Sequence, residues 1–257
     1  MTAKSIPGSP AVTPPPDPMH NAAEFAASRD DVFGRIARRY DLLCDLFSFG
    51  IHRLWKRAAA RRAVALNWRN MLDAGAGTGH IALRVARGLP ENTGRQITVS
   101  DISEPMLAVA RQRAGEGTTL TFRRFDAEAL SAVPDNSFDL YTIAFVMKIV
   151  DRDKVVREAL RVLQPGGTFI CVEASEIPFS PLRRAYLAYM NICLPVIGYV
   201  ATGGDRSAYD YLLRGIHAFP SAEGFAAELT AHGFEGVSFR RLSIGIVAIH
   251  EARKPAA

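Results

Sequence analysis

The feature that most constrains the fold is a regular alternation of short apolar runs with longer amphipathic segments between residues 71 and 173. The apolar runs are typical of buried strands, and the segments between them repeat apolar residues at helical spacing. Such alternation favours a parallel, doubly wound α/β sheet. The predicted strands are 71–74, 96–100, 120–124, 140–143 and 168–173, and the predicted helices between them are 81–89, 104–113 and 154–163.

The flanking segments follow other patterns. Residues 31–66 have helical spacing, with an interruption expected at Gly50. Residues 181–220 break the alternation and are rich in Tyr, Leu and Arg, which indicates helices inserted over the sheet edge. A helix over 221–232 ends at Gly233, and two β runs within 237–253 then predict a closing hairpin. That hairpin would add an antiparallel strand to the sheet.

The length of 257 residues suits one large domain. Residues 1–22 are rich in Pro, Ala, Ser and Gly and lack the apolar core of a signal peptide, so they predict a disordered tail. We assign 23–257 to a single domain, in which 178–220 form a helical cover over the substrate. No apolar run reaches the ~18 residues of a membrane span.

The charge distribution limits the kinds of partner that this chain could bind. The net charge is +5, and much of the excess lies early in the chain. This basic segment could meet an anionic membrane or a phosphate-bearing ligand, or it could simply be a solvated helical face. Aromatic residues are not interleaved with it, so we expect no nucleic-acid partner. The basic residues are Arg35, Arg38, Arg39, Arg53, Lys56, Arg61 and Arg62.

The three cysteines, Cys44, Cys171 and Cys193, are widely separated and form no CxxC pair. The sequence therefore predicts neither a metal site nor a disulfide framework, and it fits a reducing, cytoplasmic compartment.

A glycine-dense turn follows the first predicted strand, in the stretch "NMLDAGAGTGHIALRVA". In open α/β sheets ligands bind beyond the carboxyl ends of the strands, and glycines let the backbone approach them closely. The spacing is GxGxG, whereas a dinucleotide fingerprint requires a glycine where this chain has His80. The turn therefore fits better a nucleoside that carries an amino-acid tail and no phosphates.

Acidic residues stand at three predicted strand ends: Asp73, Asp101 and Asp126. A carboxylate at Asp101 can accept both ribose hydroxyls, and one at Asp126 can accept from an adenine amino group. As a set they indicate S-adenosylmethionine rather than a dinucleotide, although any one of them could instead be a helix cap.

Several motifs resemble those of the ubiquinone/menaquinone biosynthesis C-methyltransferases. The segments "RRYDLLCDLFSFGIHRLWKR" and "RVLQPGGTFICVEAS" look like the two signatures of that family, and the similarity continues through "PDNSFDLYTIAF", "SAYDYLLRGIHAFP" and "GIVAIHEARKP". The resemblance covers roughly residues 31–255. It implies a class I methyltransferase fold, Rossmann-like, with a seven-stranded sheet that is mostly parallel with one antiparallel strand. It also implies methyl transfer from S-adenosylmethionine to a ring carbon of a quinol-like or prenylated acceptor, leaving S-adenosylhomocysteine.

The resemblance carries family cofactor contacts onto Thr78, Asp101, Asp126 with Ala127, and Ala144. The family usually has Asn at position 126, Ser at 144 and Asp at 80, so the contact at Ala144 can only be through its backbone. Together with the glycine turn, the predicted cofactor-binding residues are Asp73, Gly75, Gly77, Thr78, Asp101, Met106, Asp126, Ala127 and Ala144.

Larger departures lie near the expected acceptor site. The family's FGLRN or FGIRN is FVMKI here, so Lys148 replaces an Arg proposed to act with water in proton removal. This chain also departs from the usual family residues at Leu43, Cys44, Val146, Ile149, Gly215 and Ile244. Several of them remove polar groups from one expected cavity, which suggests a family member with a shifted substrate.

Lys148 and Tyr40 are the predicted catalytic residues. Lys148 could stabilise a phenolate or act as a base, or it could be a solvated lysine at a helix start. Tyr40 could orient a substrate hydroxyl or pack on the sulfonium, or be purely structural. His52 and Trp55 are interpreted as packing or lid residues, and His80 and His250 as histidines satisfied by other groups.

Three functions stay open at this point. The first is carbon methylation of a quinol-like or prenylated apolar acceptor. The second is methylation at an oxygen or nitrogen of an apolar specialised metabolite, and the third is a non-catalytic scaffold that binds S-adenosylmethionine. An apolar acceptor is compatible with peripheral contact at the inner face of the membrane, and the resemblance is compatible with a homodimer.

Overall fold

The computed structural model describes residue 37 and residues 40–90, 93–202, 215–216 and 218–256. Its helices are α1 Tyr40–Ser48, α2 His52–Ala65, α3 His80–Gly88, α4 Glu104–Ala114, α5 Arg152–Val162, α6 Ser180–Thr202 and α7 Ala222–Ala231. Its strands are β1 Asn70–Ala74, β2 Gln96–Asp101, β3 Thr121–Arg124, β4 Phe138–Ala144, β5 Leu163–Ala174, β6 Glu235–Leu242 and β7 Val247–Arg253. Met147–Ile149 and Ser243–Gly245 are 3₁₀ turns, and residues 215–216 and 218 are also helical.

The strands form one seven-stranded sheet in the order β3-β2-β1-β4-β5-β7-β6. β1 lies near the centre, where Met71 is in register with Ile97 of β2 and Leu140 of β4. Only β7 runs antiparallel to its neighbours, β5 and β6. The predicted class, an α/β methyltransferase-type sheet with one antiparallel strand, is confirmed.

Helices cover both faces of this sheet. One buried cluster joins the sheet to α5 and α7 through side chains such as Val155 and Phe225. The other joins it to α2, α3 and α4 through side chains such as Ala63, Val85 and Leu107. This three-layer arrangement follows from the alternation in the sequence, because each crossover helix buries its apolar stripe against the sheet.

Element boundaries agree with the predictions to within a few residues, with one exception. β5 begins at Leu163, before the start predicted at residue 168, so Pro165–Gly166–Gly167 lies within the range of the strand. The pairing with β4 shifts in register between Phe138 and Leu140, so the ladder is irregular across the Pro-Gly-Gly segment. A local turn signal cannot reveal that the ladder resumes on both sides of it.

The N-terminal and inserted segments are partly described. The interruption expected at Gly50 is present, since α1 ends at Ser48 and α2 starts at His52. The predicted tail 1–22 and residues 203–214 lie outside the described residues. The beginning of the predicted insertion forms α6, whose Tyr186, Tyr189 and Met190 pack against Phe47 of α1. In the part of the chain that the structure describes, no helix is both long and apolar enough to cross a membrane.

Candidate active site

A cavity of about 430 Å³ opens at the carboxyl ends of β1, β2 and β4. The glycine turn after β1 forms one wall, and side chains of α1, α2 and α6 form the opposite side. Its lining is mainly apolar, with a few charged groups, as is typical of a small-molecule site. Nine predicted site residues line this one cavity: Tyr40, Gly75, Gly77, Asp101, Met106, Asp126, Ala127, Ala144 and Lys148.

The glycine turn owes its shape to backbone conformations that only glycine adopts without strain. Gly75 has φ +58°, and a Cβ atom there would lie 2.6 Å from Cγ2 of Val146. Gly77 has φ +56°, and a Cβ there would meet no protein atom within 4 Å, because it would point into the open cavity. Gly75 thus lets two protein segments approach, whereas Gly77 leaves space for a ligand.

The two acidic residues at the cavity are held by backbone N–H groups. Asp101 accepts hydrogen bonds from the Gly77 N–H at 2.8 Å and from the Ser103 N–H at 2.9 Å. Asp126 accepts from the Glu128 N–H at 2.9 Å. The contact with Ser103 resembles a helix cap, so the two interpretations of Asp101 are compatible: the carboxylate orders the start of α4 and also lines the cavity.

Two residues predicted to bind the cofactor do not line the cavity. Asp73 is buried beneath the glycine turn, where it accepts from Thr142 Oγ1 at 2.7 Å and from the Ala82 N–H at 3.0 Å. Thr78 is also buried, and its hydroxyl donates to Asp41 Oδ1 at 3.0 Å. Both side chains hold the turn in place. The sequence shows only that an acidic residue stands at a strand end, so it could not separate a carboxylate that supports the turn from one that lines the cavity.

Asp41 ties α1 to the glycine turn. Its carboxylate contacts Arg113 of α4 and lies 3.1 Å from Nε2 of His80 at the start of α3. Burial alone would raise the pKa of Asp41, but His80 and Arg113 outweigh it and hold that pKa well below its usual range. The expectation for His80 stays a prediction, and its ring lies within ion-pair distance of Asp41.

Trp55 and the histidines His52 and His250 contact other protein groups. Trp55 is buried, and its indole N–H donates to Ser243 Oγ at 2.8 Å. His52 lines the cavity, with Nδ1 2.9 Å from Ser48 Oγ, and burial lowers its pKa to about 4. His250 lies on β7, away from the cavity lining, with Nε2 2.9 Å from the Ala222 carbonyl oxygen.

Tyr40 lines the cavity beside Cys44, one helical turn away on α1. The neighbouring Cys44 thiol and burial hold the pKa of Tyr40 well above its usual range. Its hydroxyl therefore stays protonated and is suited to donate a hydrogen bond to an acceptor oxygen, not to act as a base.

Lys148 is buried, so the alternative of a solvated lysine is wrong. Its side chain is 7% exposed, and its ammonium lies 2.9 Å from Oε1 of the fully buried Glu173. It also donates to the Phe145 carbonyl at 2.6 Å. Two of its three N–H donors are thus committed to protein groups, and its charge is balanced by Glu173.

Lys56 is the cavity residue that the sequence analysis missed. It was grouped with a basic, solvent-facing segment, yet it is only 9% exposed and lines the cavity. The missed signal was helical spacing, because the buried positions of α2 recur every three or four residues and include it. They are His52, Trp55, Lys56, Ala59, Ala60 and Ala63.

The substitutions that distinguish this chain near the acceptor mostly meet at the same cavity. Leu43, Cys44, Val146, Lys148 and Ile149 line it. Gly215 lies so close to the backbone of Lys148 that a Cβ would be 2.3 Å from the Lys148 carbonyl oxygen. Ile244, in contrast, is 74% exposed and does not line the cavity, so the polarity argument does not extend to it.

Within the described ranges, no group of three or more His, Cys, Asp or Glu side chains is placed to hold a metal ion. Polar groups at the cavity include backbone groups of the glycine turn, two carboxylates, two lysines and Tyr40.

A model of the ubiE/COQ5 methyltransferase family matches residues 22–254. The chain belongs to this family. A "Ubiquinone/menaquinone biosynthesis C-methyltransferase UbiE" of Rickettsia bellii is 43% identical over 230 residues, which cover 88% of this chain and 92% of the relative. A protein with the same description from Methylobacterium nodulans is 44% identical over 231 residues, which cover 88% of this chain and 90% of the relative.

Solved structures support the same fold for this family member. A SAM-dependent methyltransferase from Thermotoga maritima superposes with a TM-score of 0.60 at 20% identity, covering 87% of this chain and 98% of that one. A phosphoethanolamine N-methyltransferase of Haemonchus contortus, in complex with S-adenosyl-L-methionine, superposes with a TM-score of 0.55 at 18% identity. The match covers 77% of this chain and 52% of that one. Family and fold together make the chain an S-adenosylmethionine-dependent methyltransferase, and the dinucleotide alternative falls.

The residues present fit this methyl donor. The space beside Gly77 is open, two carboxylates line the cavity, and Met106 and Ala127 add apolar surface to its lining.

Proposed function

We propose that this ubiE/COQ5 family methyltransferase transfers a methyl group from S-adenosylmethionine to a ring carbon of a quinol-like or prenylated apolar acceptor. The observation that carries the proposal is a single cavity in which the glycine turn and the two strand-end carboxylates adjoin an apolar chamber with buried lysines. The names of the relatives, which are ubiquinone/menaquinone biosynthesis C-methyltransferases, agree with this assignment.

On the donor side, Asp101 would accept hydrogen bonds from the ribose hydroxyls. Asp126 and Ala127 would border the adenine, and Gly75, Gly77 and the backbone at Ala144 would border the methionine part. When bound, S-adenosylmethionine supplies an electrophilic methyl group on a sulfonium centre. Asp73 and Thr78 would act from below by holding the turn, because neither lines the cavity.

On the acceptor side, the chamber is formed by apolar and aromatic side chains of α1, α6 and the loops near β4 and β7. Phe47, Tyr186, Tyr189 and Met190 are examples. Such a lining suits an aromatic ring with an apolar tail and excludes water from the reaction. Methyl transfer is an in-line displacement, so a chamber that fixes the ring beside the donor supplies much of the rate enhancement.

Polar groups in the chamber can orient the ring hydroxyl. Tyr40 remains a hydrogen-bond donor, and Lys148 is held by Glu173 with one N–H still available. In this proposal both would face the acceptor oxygen and so select which ring carbon lies next to the donor methyl group.

The decisive experiment is a label-transfer assay. The purified protein is incubated with methyl-labelled S-adenosylmethionine and a short-chain demethylated quinol, and the label is located in the product by mass spectrometry and NMR. We expect the label on a ring carbon. Asp101→Ala is the matched variant, for which we expect lost donor binding by calorimetry and no product. Label on an oxygen, or no label although the donor binds, would overturn the proposal.

A shifted acceptor is the second candidate. It is favoured by the apolar cluster of Val146, Ile149, Leu43 and Cys44, which the structure brings to one cavity. The same labelled donor is offered to a general apolar extract. Label that enters only compounds other than quinols would favour this candidate, and equal activity on a demethylated quinol would exclude it. If neither pool is labelled while the donor binds, a non-catalytic scaffold is favoured.

Peripheral membrane contact is part of the same proposal. Leu42, Phe49 and Leu54, on or beside α1 and α2, are 59%, 77% and 60% exposed, and Phe49 also lines the cavity. An apolar acceptor could pass from a bilayer over this surface into the chamber. We expect the protein to float with anionic vesicles, and a triple change to Ser at these three positions to abolish flotation. Wild-type protein that stays unbound would contradict this part.

A further inference from the structure

Lys56 has an environment that distinguishes it from Lys148. Among the described residues it forms no hydrogen bond and no ion pair, although it is nine-tenths buried and lines the cavity. Its nitrogen lies 5.9 Å from the centre of the Phe145 ring, and Lys148 Nζ lies 5.1 Å from the same centre. Two lysines thus lie near one aromatic ring at the cavity, and within the described part of the chain a carboxylate forms an ion pair with Lys148 but not with Lys56.

Charged and titratable groups on four elements influence Lys56. They are Cys44 and Asp41 on α1, His52 on its own helix α2, Asp73 on β1 and Lys148 on the 3₁₀ turn. Asp41 is already bound to Arg113 and Thr78, and Asp73 to Thr142 and Ala82. Burial outweighs the attraction of these acids and lowers the pKa of Lys56. The neutral form of the amine, whose lone pair can take a proton, is therefore more accessible than in a solvated lysine.

We propose that Lys56 is the proton acceptor for the ring hydroxyl of the acceptor and then holds the resulting oxygen anion. This inference rests on the proposed function, since it assumes an acceptor with an acidic hydroxyl next to the carbon that is methylated. It assigns to Lys148, paired with Glu173, the role of positioning the oxygen, and to Lys56 the proton transfer.

The step balances as follows. The O–H bond of the acceptor breaks, and its proton joins the lone pair of Lys56 Nζ. The ring carbon beside the oxygen forms a bond to the methyl group as the S–CH₃ bond breaks, and that electron pair remains on the sulfur. The ring hydrogen then leaves as a proton to water, and the proton on Lys56 returns to the oxygen. Lys56 ends as the neutral amine, and the net products are methylated phenol, thioether and one proton.

The test uses 4-nitrophenol, whose phenolate absorbs visible light, bound to the protein with S-adenosylhomocysteine. The bound probe is titrated with pH in wild-type, Lys56→Met and Lys154→Met proteins. Lys154 is the matched control, because its side chain is 59% exposed and its ammonium lies 3.5 Å from Oδ2 of Asp151 at the surface. In wild-type and Lys154→Met proteins the bound probe should ionise at a lower pH than free probe.

In Lys56→Met protein the bound probe should ionise at a higher pH than free probe, because an apolar cavity without this amine disfavours the phenolate. Affinity for the phenolate form should fall about tenfold, as expected for loss of one charge-assisted hydrogen bond. Affinity for S-adenosylhomocysteine should stay within about twofold in calorimetry, and this confirms that the variant is folded. Where Lys56→Met is too unstable to titrate, Lys56→Gln supports the same comparison.

Lys56→Arg separates charge from proton transfer. A guanidinium can hold the phenolate but cannot take a proton, so probe binding should persist while the rate of methyl transfer at neutral pH falls. Unchanged ionisation of the bound probe in Lys56→Met, or no bound phenolate in the wild type, overturns the inference. A probe shift that depends on Lys56 in a protein that methylates no quinol would overturn the proposed function alone. Wild-type methylation rates in Lys56→Met would overturn only the role of Lys56.

Discussion

At the scale of single residues, Asp73 shows how a site is supported from beneath. Burial raises the pKa of its carboxyl to about 6, although Thr142 and Ala82 donate hydrogen bonds that oppose the rise. A raised pKa means that the folded state binds the proton more tightly than the unfolded state. The stability contributed by this group is therefore fully present below pH 4 and is lost as pH rises through about 6.

Asp73→Asn should remove this pH dependence. An amide can accept from the Ala82 N–H and donate to the Thr142 hydroxyl, so both contacts can persist. Between pH 4 and 7 the free energy of unfolding of the wild type should fall relative to the variant by roughly 2–3 kcal/mol. Urea denaturation at both pH values measures the difference. If the free energy of unfolding changes equally with pH in the two proteins, Asp73 is not the group responsible.

The two glycines of the turn should respond differently to alanine. Gly77→Ala places a methyl group in open space, so it should cost only about 1–2 kcal/mol of backbone strain but weaken donor binding strongly. Gly75→Ala adds a clash with Val146, so it should cost roughly 1–3 kcal/mol more in stability. Thermal unfolding and donor calorimetry on both variants test this. Equal donor affinity in Gly77→Ala and wild-type proteins would place the ligand elsewhere.

At the scale of elements, α1 depends on Asp41 for its attachment to the glycine turn. Asp41→Asn should reduce the attraction to Arg113 and His80 and lower stability by roughly 2 kcal/mol. This is less than for a fully buried pair, because the Arg113 side chain is 34% exposed. Donor affinity should fall as well, since α1 forms part of the cavity wall. Urea denaturation and calorimetry measure the two effects.

Asp45→Asn is the matched control for this change. Asp45 lies on the same helix but pairs on the surface with Arg53, whose side chain is 46% exposed. A surface pair of this kind contributes about 0–1 kcal/mol, so stability and donor affinity should hardly change. An equal effect of both variants would mean that general helix electrostatics, and not the contact with the turn, is responsible.

The 3₁₀ turn at Met147–Ile149 is joined to β5 through Lys148 and Glu173. Lys148→Met should destabilise the protein by about 3–5 kcal/mol, because it leaves a fully buried carboxylate without its cation. The double variant Lys148→Met with Glu173→Gln should be more stable than Lys148→Met alone, since the uncompensated charge is gone. A double-mutant cycle by chemical denaturation measures this coupling, and strictly additive effects would contradict it.

At the scale of the whole molecule, the chain is closed by β7, which enters the sheet between β5 and β6. A chain ending at Gly245 lacks this strand and its buried Val247, Ala248, Ile249 and Ala252. It should fail to give folded protein, because both neighbouring strands lose their partner. A chain ending at Lys254 keeps β7 and should unfold like the full chain. Circular dichroism and thermal melts compare them, and a folded shorter chain would contradict the prediction.

Local sequence was sufficient for the order of elements and for the glycine turn. Hydrophobic periodicity and glycine spacing depend on neighbours within a few residues, so the strands, the helices between them and the cavity residues Gly77, Asp101 and Asp126 could be predicted. The break at Gly50 and the antiparallel closing strand could be predicted for the same reason.

Burial and pairing between distant segments were decided by the tertiary structure. Asp73 and Asp101 both stand at strand ends, and only the packing of α3 and β4 turns one of them away from the cavity. Lys148 and Glu173 are 25 positions apart, and Asp41 and Arg113 still farther, so no local pattern links them. Lys56 resembled its solvated neighbours in composition. What makes it different is its burial beside Phe145, because desolvation depends on what surrounds a charge in space.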